Sequence, residues 1–207
     1  MKRAFMFAAA AVAAVSVAAC QKKDEVANPA DPGTTNSAVN AAQDATAAAV
    51  GAASATVAPV STEEFVTNAG ISDQYEIQAG QIAQKKGQSA GVKDFGKMMV
   101  TDHTALTNEM KPLIAAAGKT PPTGLDERRK GLIDNLNAAS PADFDKVYLS
   151  QQEAAHNEAL TLMQGYADKG DDVGLKAAAA KAAPKVQAHL DRVKALQAEP
   201  PAAPAKK

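Results

Sequence analysis

From Ser61 to Ala198 the chain repeats the period of an amphipathic helix almost without interruption, and this constrains its fold more than any other feature. Four long stretches carry apolar residues every three to four positions. The first opens at "STEEF", where Ser61 or Thr62 can cap and Glu63 and Glu64 suit the positive end of a helix. Its stripe is Phe65, Ala69, Ser72, Tyr75, Glu76, Ala79, Ile82 and Ala83, ending near Gly87. The second runs from about Ser89 to Ala117 and stops at Gly118, with Pro112 expected to bend its last turns. The third is expected to start with Ser140 as N-cap and Pro141 at the first helical position, and to continue through Tyr166. The fourth spans about Asp172 to Ala198, with a kink expected at Pro184. A shorter helix, "LDERRKGLIDNLNAA", bridges the second and third.

Alternating Val, Ile and Thr runs and Asn-Gly hairpins are missing, so strands are not expected. Aromatics make up only 4% of the chain and alanines are abundant, so the helices must approach closely with small side chains between them. The expected fold is all-α, an antiparallel four-helix bundle with a short extra helix between long helices 2 and 3.

The N-terminal segment reads as an address. Lys2 and Arg3 precede the uncharged "AFMFAAAAVAAVSVAA", too short and too alanine-rich for a convincing membrane span. It runs into Cys20, the only cysteine in the chain. "VAAC" (Val17 to Cys20) resembles the bacterial lipobox, in which the cysteine is lipidated and becomes the mature N-terminus. Residues 1–19 are then a lipoprotein signal peptide, and the membrane is a partner through the lipid on Cys20. Gln21 rather than Asp follows the cysteine, which favours an outer-membrane anchor facing the periplasm. Residues 20–60 lack aromatics and large aliphatics, cannot bury enough surface to offset ordering, and read as a tether. About 40 such residues reach about 35 Å. The folded domain is expected over 61–198, with a disordered tail at 199–207. With 22 basic and 23 acidic residues and no basic patch interleaved with aromatics, nucleic acid is not an expected partner. The sequence names no protein partner.

The chemistry-bearing residues lie inside the apolar stripes. The three histidines, His103, His156 and His189, fall one on each of the last three long helices, within or at the shoulder of the buried arc. If such an arc covers about a third of a helix, chance puts all three there roughly once in 20 to 30, so they are read together. Glu76 holds the corresponding place on the first helix, and all four sit near the helix midpoints, where helices of a bundle share one layer. Three imidazoles and a carboxylate make a reasonable shell for one transition metal ion: Zn, Cu, Fe or Ni. Asp102 and Glu153 are candidates to orient the rings from behind. Glu153 and His156 form one Glu-x-x-His pair, but di-iron bundles need two; Val100 and Val186 occupy the equivalent places before the other histidines. The competing reading is a Glu–His hydrogen-bond network without metal, structural or acid-sensitive. No Ser-His-Asp arrangement or nucleophile elbow is recognisable, so an enzyme is not the favoured expectation.

"MMVTDH" (Met98 to His103), "FDKVYLSQQEAAH" (Phe144 to His156) and "PKVQAHL" (Pro184 to Leu190), with Glu76 upstream, resemble the family catalogued as domain of unknown function 4142. The resemblance covers about residues 61–197; Ala183 stands before the proline where the family often has leucine. It implies a ferritin-like helical bundle in an exported or outer-membrane protein, and it implies no particular activity.

Overall fold

The computed structural model describes residues 60–199. The signal peptide, Cys20, nearly all of the expected tether and all but the first residue of the expected tail lie outside the described residues. Five helices make up the described part: α1 Thr62–Lys86, α2 Ala90–Ala116, α3 Glu127–Ala138, α4 Phe144–Lys169 and α5 Val173–Ala198. Among the described residues there is no strand, and no helix is long and apolar enough to cross a membrane.

Local chemistry sets the helix ends. Ser61 caps α1 through a complete capping box with Glu64. Thr62 turns inward instead, its hydroxyl 2.6 Å from that of Tyr166. After α2 the chain enters the left-handed region at Gly118 (φ 67°). There the amides of Gly118 and Lys119 donate to the carbonyls of Ala115 and Ile114, each at 3.0 Å. This is the paired closure that glycine after a C-cap permits. The start of α4 departs from the sequence expectation. Ser140 and Pro141 belong to a preceding turn, in which the amides of Asp143 and Phe144 donate to the Ser140 carbonyl, and the helix begins only at Phe144. It also runs past Tyr166 to Lys169. Helices α2 and α5 continue through Pro112 and Pro184.

Each long helix buries the stripe read from its sequence, but the core comes in two apolar halves. One gathers Tyr75, Phe95, Met99, Tyr148, Val193 and Leu196. The other gathers Phe65, Met110, Met163, Tyr166, Leu175 and Val186. Burying each such side chain contributes about 1.5–3 kcal/mol. Followed along the chain, α1 and α5 pass from the second half to the first, whereas α2 and α4 pass from the first to the second. Alternating helices joined by short links would not give this order. The connection between α2 and α4 therefore travels the length of the molecule, and it does so along α1. Gln74 donates to the carbonyl of Pro122 at 2.8 Å. A dozen residues later on α1, the Lys86 ammonium donates to the carbonyls of Leu136, Asn137 and Ala139 at the end of α3.

Helices α1 and α2 meet at a glycine crossing. A Cβ on Gly80 would lie 2.6 Å from the Gly96 carbonyl oxygen, and one on Gly96 would lie 2.8 Å from both the Gly80 carbonyl oxygen and the Ala83 Cβ. Neither neighbour can yield without separating the helices. Gly165, inside α4, faces open space. Gly80→Ala or Gly96→Ala is expected to cost about 1–3 kcal/mol in chemical denaturation. Gly165→Ala is expected to add up to about 1 kcal/mol; equal effects at the three positions would contradict the close crossing.

Candidate metal centre

Between the two apolar halves lies a polar layer. Four helices contribute to it: Asp73 and Glu76 from α1, Asp102 and His103 from α2, Gln152 and His156 from α4, and His189 from α5. All of these but Asp102 are buried. The three imidazoles form a near-equilateral triangle with ring centroids 5.4, 5.6 and 5.9 Å apart. One nitrogen of each lies within 4.8 Å of the other two, the one such group of His, Cys, Asp or Glu among the described residues.

Every ring is held from behind. His103 Nδ1 lies 2.8 Å from Asp73 Oδ1, and the Thr107 hydroxyl donates to the other Asp73 oxygen at 2.9 Å. His189 Nε2 lies 2.8 Å from Asp102 Oδ2. His156 Nδ1 donates to the Gln152 backbone carbonyl at 2.8 Å. A carbonyl only accepts, so this bond fixes the tautomer of neutral His156 and leaves its Nε2 with a bare lone pair. Carboxylates impose the same on neutral His103 and His189. The remaining nitrogens, His103 Nε2, His156 Nε2 and His189 Nδ1, are all buried and have no hydrogen-bond partner. With all three rings neutral these are three lone pairs without a donor among them, an arrangement that a metal ion, or a proton on one ring, relieves.

Burial pushes the pKa of His156 down to about 3, helped by the neighbouring charge of His103. Burial likewise takes His189 to about 4, against the opposing pull of its bond to Asp102. In His103 burial again acts downward, but the Asp73 hydrogen bond and the charges of Asp73, Glu76 and Asp102 outweigh it and raise the pKa. Burial also raises the pKa of Glu76, opposed by His103 and by the Gln152 side chain.

The expected four-residue shell is only partly assembled. His103, His156 and His189 converge, but Glu76 stands beside the triangle. It accepts from Gln152 Nε2 at 2.7 Å and lies 3.8 Å from His156 Nδ1, the nitrogen already committed to a carbonyl. Asp102 does orient His189. Glu153 orients no ring: it accepts from Gln197 at 3.0 Å, because it lies one residue round the helix from inward-facing Gln152. The sequence reading missed Asp73, although its spacing from Ala69 and Glu76 places it on the buried stripe. It also missed Arg129, a buried guanidinium 5.2 Å over the Tyr75 ring and bonded to Glu158 at 3.0 Å.

A tetrahedral ion with imidazole nitrogens at about 2.0–2.1 Å needs donors about 3.3 Å apart, so the rings must close by up to about 1.5 Å. Rotation of the ring side chains would have to supply this; the donor set, three neutral imidazoles backed by oxygen acceptors, suits a first-row ion.

The metal-free layer has a definite pH signature. For His156 and His189 the unfolded chain binds protons that the native state refuses, between the ordinary value of 6.5 and about 3 to 4. Their stability contribution is therefore complete above pH 6.5 and is lost as the pH falls. His103 has the opposite sign, its contribution being complete below 6.5 and lost as the pH rises through its folded value. Glu76, raised from its ordinary value, shares the sign of His103. The large displacements of His156 and His189, to about 3 and about 4, carry the balance, so with chelator present the melting temperature should drop from pH 7 to pH 4. His156→Gln should flatten that drop; an unchanged profile would contradict the assignment. Asp73→Ala, which strands His103, is expected to cost about 3–5 kcal/mol.

Comparison with curated proteins and with solved structures finds no match. A family model does match: the domain of unknown function DUF4142, over residues 34–196. The match takes in all but the last residues of α5 and begins upstream of α1, within the stretch read as a tether. The chain is a member of the DUF4142 family.

Proposed function

We propose that this protein is a metal-binding lipoprotein of the bacterial cell envelope. Its domain is an antiparallel four-helix bundle of ferritin-like connectivity that holds one transition metal ion through His103, His156 and His189. The observation that carries the reading is the convergence of three buried, partnerless imidazole nitrogens, each ring fixed from behind. A purely structural layer has no need to bring three imidazoles together while leaving a nitrogen of each without a partner. The long crossover between α2 and α4 supports the ferritin-like reading, since such folds have one. Binding, rather than catalysis, is the role assigned: the donors are sealed from solvent, and a buried ion suits sequestration.

The envelope location rests on the sequence Val17 to Cys20, with acyl chains on Cys20 anchoring the domain to the outer membrane on its periplasmic side. The alternative is an envelope module in which the layer only fixes helix register. It draws on the Asp73–His103–Thr107 bonds, which tie α1 to α2 without an ion.

Elemental analysis of the full-length chain, expressed for export, decides between them. About one equivalent of a transition metal is expected, falling below about a tenth in His156→Ala. Metal at about 100 times its Kd should stabilise the wild type by about 2.7 kcal/mol. Metal-free protein whose melting ignores both ion and chelator would overturn the metal reading. Intact mass of the membrane fraction should show an acylated Cys20; an unmodified thiol on a soluble chain would rule out the anchor.

A further inference from the structure

The donor nitrogens are closed to solvent, so an ion needs a route to them, and a surface cleft leads to one corner of the triangle, His189. It opens between α2 and α5 with a volume of about 390 Å³. Asp94, Lys185, Ala188 and Arg192 form its exposed rim, and the buried Phe95 and His189 form its floor. Asp102 stands between rim and floor. One of its oxygens lies 2.8 Å from His189 Nε2 and the other 3.7 Å from the Lys185 ammonium. Of the three groups that hold the imidazoles from behind, Asp102 is the one that reaches water. Its side chain is 26% exposed, against 8% for Asp73, while Gln152 is fully buried. Phe95 closes the inner end, its ring edge-on to His189 at 6.5 Å and tilted against His156 at 6.1 Å.

We propose that the α2–α5 cleft is the port through which a divalent cation enters and leaves the His103–His156–His189 site. Asp102 is its first ligand, and Lys185 is the cation it displaces. The inference rests on the metal reading above. Lys185 is half exposed and its ion pair is long, so exchanging it for a metal ion costs little. A cation seated on Asp102 is then one ring away from the triangle, and movement of the His189 and Phe95 side chains admits it. The port thus makes Asp102 both the positioning residue for His189 and the relay for the ion.

The test is stopped-flow absorbance with Co²⁺ on the chelator-stripped, full-length chain. Ala188→Trp plugs the rim, Lys185→Gln removes the displaced cation, and Ala180→Trp is a control on an exposed position of the same helix. Ala188→Trp should slow association and release together by about tenfold or more, leaving Kd within about threefold. Lys185→Gln should speed association roughly three- to tenfold, most strongly at low salt. The control should match the wild type. One equivalent of Co²⁺ bound at wild-type rates in both cleft variants overturns the port and leaves the site standing. No Co²⁺ bound by the wild type overturns the site and the port with it.

Discussion

Each imidazole in the central layer gives one nitrogen to a fixed oxygen, the remaining three nitrogens are buried without a hydrogen-bond partner, and the three rings converge so that one nitrogen of each lies within 4.8 Å of the other two. Buried polar atoms are normally paired, because leaving one unpaired costs about 1–3 kcal/mol. A layer with three such nitrogens within 4.8 Å gains from a positive charge or a donor placed among them. The surroundings favour a positive charge: the Asp73 hydrogen bond and the charges of Asp73, Glu76 and Asp102 all act to raise the affinity of His103 for a proton. In the absence of an ion, a proton on His103 is the available cation. It serves poorly, because it further suppresses protonation of His156 and His189 and leaves their lone pairs bare.

The rest of the fold arranges this layer. The apolar halves above and below enclose the layer, so the ring nitrogens are buried among groups from four helices. The Phe65–Tyr166 stack, with centroids 3.9 Å apart, pins α1 to α4 in one half. The Gly80–Gly96 crossing draws α1 onto α2 in the other. The crossover along α1 then fixes α3 over the gap between α1 and α4, where Arg129 covers Tyr75. Packing on both sides leaves the layer little freedom except at the α2–α5 edge, where Asp102 meets solvent.

Much of this was legible in the sequence. Periodicity located every helix, because an apolar stripe needs only the local spacing of residues. Placing His103, His156, His189 and Glu76 at similar heights does not depend on which way each helix runs, since reversing a helix leaves its midpoint where it was. What sequence could not supply were the partners. The Gln152 carbonyl is invisible to residue-type reasoning, and Glu153 looked inward only until α4's rotation about its axis was known. The start of α4 is ambiguous in sequence because Ser-Pro is equally competent to open a helix and to form the turn before one, as it does at Ser140. Asp73 was the avoidable omission, since a carboxylate one turn from Glu76 on a buried stripe already calls for a cationic or donor partner.

The most direct test of the central claim is the coordination of a bound ion rather than its mere presence. X-ray absorption on the zinc-loaded, full-length chain should give a low-coordinate site with nitrogen scatterers at about 2.0–2.1 Å and the outer-shell pattern of about three imidazoles. That pattern should diminish in His156→Gln. A spectrum dominated by oxygen ligands, unchanged by that substitution, would contradict a three-histidine metal centre.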